Sequence, residues 1–309
     1  MGSSEPQKDK IKRAIAITRS GLRRYPRHLV RSLAKPRSQI AQVAKNAILE
    51  PMLDEPLAAA WLGHASVLLR VGDVTVLVDP VFASRIGMSV GTRTFGVERM
   101  APPPVSINDL PRIDVILVTH AHFDHLDKPT LRRLVHPDTV LITAKYTRRL
   151  IPDGFGQITE LNWNESLEIR GLTIASIKPR HWGARTAYDR FRGYNSYVIS
   201  SREHRVFVAG DTATTGAFRN LDNVDLAVFG IGAYEPWIHA HANPEQVWRM
   251  FEQTGARHLL PVHHSTFELG EEHPDEPLDR LIDVAGKAGE QIIRCDPGQL
   301  WFAGGHQVA

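Results

Sequence analysis

From Leu57 onward the apolar positions fall in short runs or alternate with polar ones, which is the period of strands. The pattern predicts strands over 58–62, 66–71 and 74–78, with a Gly72-Asp73 turn joining the last two. Further strands are predicted over 115–119, 139–143, 157–161, 166–169, 172–177, 196–200, 205–209 and 226–230, with late ones over 258–263 and 299–303. Helical spacing predicts helices over 129–135, near 145–150, and over 213–220, 244–254 and 277–288. Asp127 stands where it can cap the first of these, with Pro129 in its first turn. Residues 81–112 carry Arg85, Arg93, Phe95, Arg99 and Pro102-Pro103-Pro104, and read as a long connection bordering a site. Many strands with helices between them suggest two β-sheets with helices outside.

The first 50 residues look different. Residues 1–9 are polar. In 10–36, Ile11, Ile15 and Leu22 share one helical face and Lys12, Arg19 and Arg23 another, with Pro26 and Pro36 interrupting. Ser38 is expected to cap a second helix carrying Ile40, Val43, Ala44, Ala47 and Ile48, ended by Pro51. Domain organisation is read as a basic helical arm over 1–55 and a catalytic domain over 56–309.

Charge sharpens that division. Residues 1–50 hold 12 Lys/Arg against 3 Asp/Glu, a balance of +9, so the remainder carries −6 of the chain's net +3. The arm over 10–50 either lies on an anionic membrane surface or packs on the domain with a solvated basic face. Nucleic acid is not expected, because Tyr25 is the arm's one aromatic and no reading motif is present. No stretch is apolar enough to span a bilayer or to serve as a secretory leader, so the expected location is cytoplasmic, or peripheral on the inner face of a membrane. A homo-oligomer is compatible with everything above. Cys295 stands alone among 309 residues, which excludes an internal disulfide and any Cys-based zinc site.

Histidine is abundant, at 15, and one stretch concentrates it. The run Val115–Thr119 leads straight into His120-Ala121-His122-Phe123-Asp124-His125. Four imidazole and carboxylate groups thus occupy six positions on the loop leaving a buried strand, and these are the ligand types of zinc and similar divalent ions. His120 and His122, two apart, leave the same face of an extended backbone. No Gly-x-Ser-x-Gly elbow offers a serine nucleophile instead.

This spacing resembles the signature of the metallo-β-lactamase fold superfamily. Within it the chain is most similar to the N-acyl-phosphatidylethanolamine-hydrolysing phospholipase D group. The matching phrases are Trp61-Leu-Gly-His64-Ala-Ser66, Val78-Asp79-Pro80, Thr119 to Asp127, His181-Trp182, Ala209-Gly-Asp211-Thr212, Ile231 to Pro236, and His263-His-Ser-Thr-Phe267. They cover about residues 57–270, in the family's order. The resemblance implies an α/β fold, the four-layer αβ/βα sandwich, with metals at the edge between the sheets.

It also implies a ligand set: His120, His122 and His181 on one ion, and Asp124, His125 and His263 on another, sharing Asp211. Asp211 is otherwise the cap of a following helix, and His264 competes with His263. The expected cofactor is two Zn2+, with Mn2+ or Fe accepted by the same donors. Asp124, His241 and Tyr234 are the candidate catalytic residues. His241 would contact substrate or protonate a leaving oxygen, unless it is a surface histidine ahead of the helix capped by Asn243. Tyr234 would stabilise an oxyanion or line the pocket. His64, Asp79 and Asp127 would orient ligands, or in the last two cases merely cap turns.

The implied substrate is a phospholipid or a small phosphodiester. One departure bears on it: only Trp237–Ala240 separate Pro236 from His241, where lipid-acting relatives carry a longer aromatic and basic stretch. The alternative is a lactone or other cyclic ester or amide, since fold and metals do not fix substrate. A flavodiiron oxidoreductase is disfavoured, because those relatives carry Glu where this chain has His122.

Overall fold

The computed structural model describes residues 30, 32, 37–43, 47–186 and 188–304. Its first sheet contains β1 (Leu57–Trp61), β2 (Val67–Val71), β3 (Val74–Val78), β6 (Val115–Val118), β7 (Val140–Ala144), β8 (Gln157–Leu161) and β15 (Leu300–Phe302). Their order is β15-β1-β2-β3-β6-β7-β8. The meander β1–β3 is antiparallel, whereas β3, β6, β7 and β8 run parallel. The second sheet has the order β14-β13-β12-β11-β10-β9. Its members are β9 (Ser166–Ile169), β10 (Leu172–Ile177), β11 (Ser196–Ser200), β12 (Arg205–Val208), β13 (Leu226–Gly230) and β14 (His258–Val262). Here β12, β13 and β14 are parallel.

Alternation of side chains gives each sheet two apolar faces. One face of each meets the other sheet in a shared core, which includes Leu69, Val76, Leu117, Tyr197, Val208 and Val228. The other face of the first sheet packs under α1 (Lys128–Arg133) through Leu68, Ile116, Leu141 and Leu131. The other face of the second packs under α2 (Pro244–Thr254) and α3 (Glu276–Ala285) through Phe207, Phe229, Trp248 and Leu281. The result is the helix–sheet–sheet–helix sandwich. Helix α2 opens on a full capping box: Asn243 accepts from Gln246 N–H, and the Gln246 side chain accepts from Asn243 N–H. Asn243→Ala should cost about 1 kcal/mol of stability, read as a lower urea midpoint with unchanged slope.

Three expectations require correction. Residues 81–112 are not all loop. They fold a hairpin of β4 (Arg85–Val90) and β5 (Arg93–Glu98), whose alternating apolar positions, Ile86, Met88 and Val90 and then Phe95 and Val97, are broken up by Gly87, Gly91 and Gly96. Residues 213–220 form turns rather than a helix, tied at both ends to other elements: Ala213 N–H donates to Arg180 O and Asn220 N–H to Gln253 O. Ser38 caps no helix. Its hydroxyl donates to Arg85 O, its N–H donates to Thr94 Oγ1, and Ile40 bridges Ala83, so residues 37–43 lie extended on the hairpin. The amphipathic pattern expected over 10–29 lies outside the described residues.

Candidate metal centre

The loop leaving β6 is held from beneath by Asp79, which directly follows the neighbouring strand β3. Asp79 accepts from Thr119 N–H at 2.7 Å, from the Thr119 hydroxyl at 2.6 Å and from His125 Nδ1 at 2.7 Å. The His125 bond leaves Nε2 facing the centre, the usual role of a carboxylate behind a ligating histidine. The Thr119 oxygen, having donated its proton to Asp79, accepts from His120 Nδ1 at 3.0 Å. His181 Nδ1 donates to Ala240 O at 3.1 Å. His120 and His181 therefore both present a bare Nε2.

Those bare nitrogens converge. His122 Nδ1 lies 2.8 Å from His120 Nε2 and 3.3 Å from His181 Nε2. Asp211 Oδ2 is 3.6 Å from each of those two Nε2 atoms. On the other side, Asp124 Oδ2 stands 3.1 Å from His64 Nε2, 3.3 Å from His263 Nε2 and 3.6 Å from His125 Nε2. Asp211 reaches this group as well, with Oδ2 3.2 Å from His125 Nε2 and Oδ1 3.4 Å from His263 Nε2. Within each of the clusters His120/His122/His181/Asp211 and His64/Asp124/His125/His263, the donor atoms all lie within 4.8 Å of one another.

The donor set fits divalent cations. Lone pairs this close repel unless a cation lies between them. His125 Nε2, His263 Nε2 and Asp211 Oδ2 are buried and make no hydrogen bond among the described residues, an arrangement that is expensive without a ligand. Electrostatics point the same way. Burial opposes charge on Asp211, yet His125, His263 and His241 hold its carboxyl well below the usual range. Burial likewise opposes charge on His263, but Asp211 and Asp124 raise it to about 9. The pocket draws positive charge to its middle.

Chain geometry is bent to achieve this. His64, Asp79 and His263 all adopt left-handed backbone, at φ 50°, 40° and 64°, a conformation that non-glycine residues seldom take outside functional sites. His64 and His263 secure each other, since His263 N–H donates to His64 O and His64 N–H donates to Thr266 Oγ1. Gly232 is required beside them: a Cβ there would stand 2.3 Å from His263 O.

All seven sequence-derived ligand candidates are thus assembled in one place. His264 is elsewhere, stacked on Trp61 at 4.7 Å. No helix follows Asp211, so the capping alternative lapses, whereas Asp127 does cap α1 through Thr130. His241 borders the cluster, its Nδ1 3.8 Å from Asp211 Oδ2. Burial lowers its pKa to about 4, so it is neutral at neutral pH. Tyr234 needs correction. Its hydroxyl donates to Glu276 at 2.7 Å and accepts from Arg280 at 3.1 Å, which commits it to the α2–α3 ion-pair network and leaves no proton for an oxyanion. Sequence reasoning missed Arg185. Its guanidinium donates to Ala121 O and Leu126 O and lies 3.9 Å over Phe123, clamping the ligand loop from outside. An arginine four residues after His181 carries no local signal of that.

Residues 74–264 match the β-lactamase superfamily domain, and the chain belongs to that superfamily, among its metal-dependent hydrolases. It is 31% identical to N-acyl-phosphatidylethanolamine-hydrolyzing phospholipase D 1 of Caenorhabditis elegans, over 80% of this chain and 76% of that one. An uncharacterised protein of Mycobacterium tuberculosis is also 31% identical, over 79% of this chain and 68% of its own. The fold is shared with a metallo hydrolase from Ignicoccus hospitalis, at a TM-score of 0.60 and 18% identity, covering 79% of this chain and 97% of that one.

Proposed function

We propose that this chain is a binuclear metal-dependent phosphodiesterase acting on a phospholipid of the N-acyl-phosphatidylethanolamine type, at the bond a phospholipase D breaks. The observation that carries the reading is Asp211, one carboxylate within 3.6 Å of His120, His181, His125 and His263, where a group shared between two ions belongs. The Caenorhabditis elegans relative supports the substrate class.

His120, His122 and His181 would hold one ion and Asp124, His125 and His263 the other, with Asp211 common to both. Zinc suits an all-His/Asp set, and manganese or iron would accept it. Bound there, such ions lower the pKa of water towards about 7 and offset charge on phosphoryl oxygens. In the overall reaction water adds to phosphorus, the P–O bond to the N-acylethanolamine breaks, and phosphatidic acid is the other product. Neutral His241 gives an N–H hydrogen bond to the departing oxygen. His64 holds Asp124 in place. Trp182, half exposed, stacks on His181 at 4.6 Å and meets His122 at 5.1 Å, an aromatic wall for the uncharged part of the substrate. No described helix is long and apolar enough to cross a membrane. The basic arm would bring the domain to the membrane surface, peripherally.

The test is hydrolysis of N-acyl-phosphatidylethanolamine in mixed micelles by zinc-replete protein, with His122→Ala as the blank. Phosphatidic acid and N-acylethanolamine should appear with the parent protein and not with the blank. Two ions per chain and no turnover would sink the lipid reading and favour a lactone or a small soluble phosphodiester.

A further inference from the structure

Behind the ligand loop lies a second cavity, of about 480 Å³, that the chemistry above does not use. His122 and Asp124 face the metal centre, while Phe123 between them lines this cavity instead. The walls carry six cationic side chains, Arg37, Arg85, Lys128, Arg132, Arg185 and Arg192, against two carboxylates, Asp127 and Asp189. Those carboxylates offset only part of the charge, Asp189 by pairing with Arg192 at 2.6 Å. Asp127 accepts from Thr130 N–H, and Asp189 also accepts from Thr186 N–H, which leaves, among the described residues, four cations against one unpaired carboxylate once Arg85 is counted with Glu98. Arg37, Lys128 and Arg132 make no side-chain hydrogen bond or ion pair among the described residues. Burial, together with Arg185, Arg132 and Arg192, pushes the Lys128 ammonium pKa down, the mark of a cation among cations. Like charges gathered in a concave, partly desolvated site are stabilised by an anion of matching charge.

We propose that this cavity binds a phosphate ester, with Lys128 and Arg132, beside Arg37, as uncommitted donors and Arg185 and Arg192 behind them. The phosphate could belong to a soluble molecule or to a lipid headgroup. Exposed Met88 lines the same cavity, and exposed Phe191 and Tyr146 pack together beside Arg192, which would suit the second source. Through Arg185, which grips the carbonyls of Ala121 and Leu126, the bound anion would sit one side chain away from the ligand loop.

The proposal does not depend on the reaction assigned to the metal centre. Metal-loaded protein would be titrated calorimetrically with inorganic phosphate, and sedimented with phosphatidylcholine vesicles with and without phosphatidic acid. Lys128→Gln/Arg132→Gln should weaken binding of at least one probe by about tenfold or more, while retaining its metal content. Arg202→Gln/Arg219→Gln, the same charge change outside the cavity, should not. A loss seen with inorganic phosphate assigns a soluble ligand. A loss confined to phosphatidic acid vesicles assigns a headgroup. Phosphate held at the metals would survive in both variants, so equal affinity in all three proteins for both probes would overturn the proposal. Failure of the phospholipase reading would appear as absent turnover and leave these titrations unaltered.

Discussion

Asp211→Ala should lower hydrolysis by at least about 10²–10³-fold and reduce the metal content below two ions per chain. Asp211 is buried, and its carboxylate lies within 3.6 Å of histidines of both donor clusters. Removing it deprives each side of an oxygen and leaves the histidines without the carboxylate that draws positive charge among them. Asp211→Asn keeps the volume and loses the charge, so it should resemble Asp211→Ala rather than the parent. Elemental analysis beside a turnover assay decides the matter. An alanine variant that retained two ions would rule out a bridging role.

Asp79→Ala should act on stability and metal affinity together. It strips partners from the Thr119 N–H, the Thr119 hydroxyl and His125 Nδ1, all buried. The expected loss is roughly 3–5 kcal/mol of unfolding free energy, as for breaking a buried pair. Metal affinity should fall by about 10–100-fold, because His125 is no longer held in the tautomer that leaves Nε2 bare. Asp79→Asn separates the two effects. Its amide oxygen can still accept from Thr119 N–H, restoring much of the stability, but its amide nitrogen cannot accept from His125 Nδ1. Denaturant midpoints of the metal-free variants and competitive metal titrations measure the two separately. Equal recovery of both in Asp79→Asn would overturn the tautomer argument.

What could be read from the chain alone follows from locality. Strands such as Val115–Val118 and Leu226–Gly230 are buried on both faces, so they stand out as unbroken apolar runs. The hairpin Arg85–Glu98 has no such run, because its apolar residues are single and separated by Gly, Ser and Thr. The ligand loop is legible because its donors are adjacent in sequence. Asp211, His181 and His263 became candidates only through resemblance, since nothing local distinguishes a carboxylate that will meet a loop some ninety residues earlier. Tyr234 shows the converse. A phrase shared with a family gave it a site role, while its actual partners, Glu276 and Arg280, lie on a helix whose docking no pattern announces. Ser38 failed similarly: a good capping residue is also a good partner for a hairpin, here through Arg85 O and Thr94 Oγ1.

The donors are divided between the sheets. His120, His122, Asp124 and His125 leave the end of β6, whereas Asp211 and His263 leave the ends of β12 and β14. Leu117 and Val208, deep between the sheets, therefore act as a spacer whose thickness sets the gap between the two half-sites. Sheets stack about 10 Å apart, and metal coordination tolerates only a few tenths of an ångström. The catalytic tolerance of this enzyme is thus written into the volume of its hydrocarbon filling. A methylene lost or gained there would detune the centre while the protein still folded.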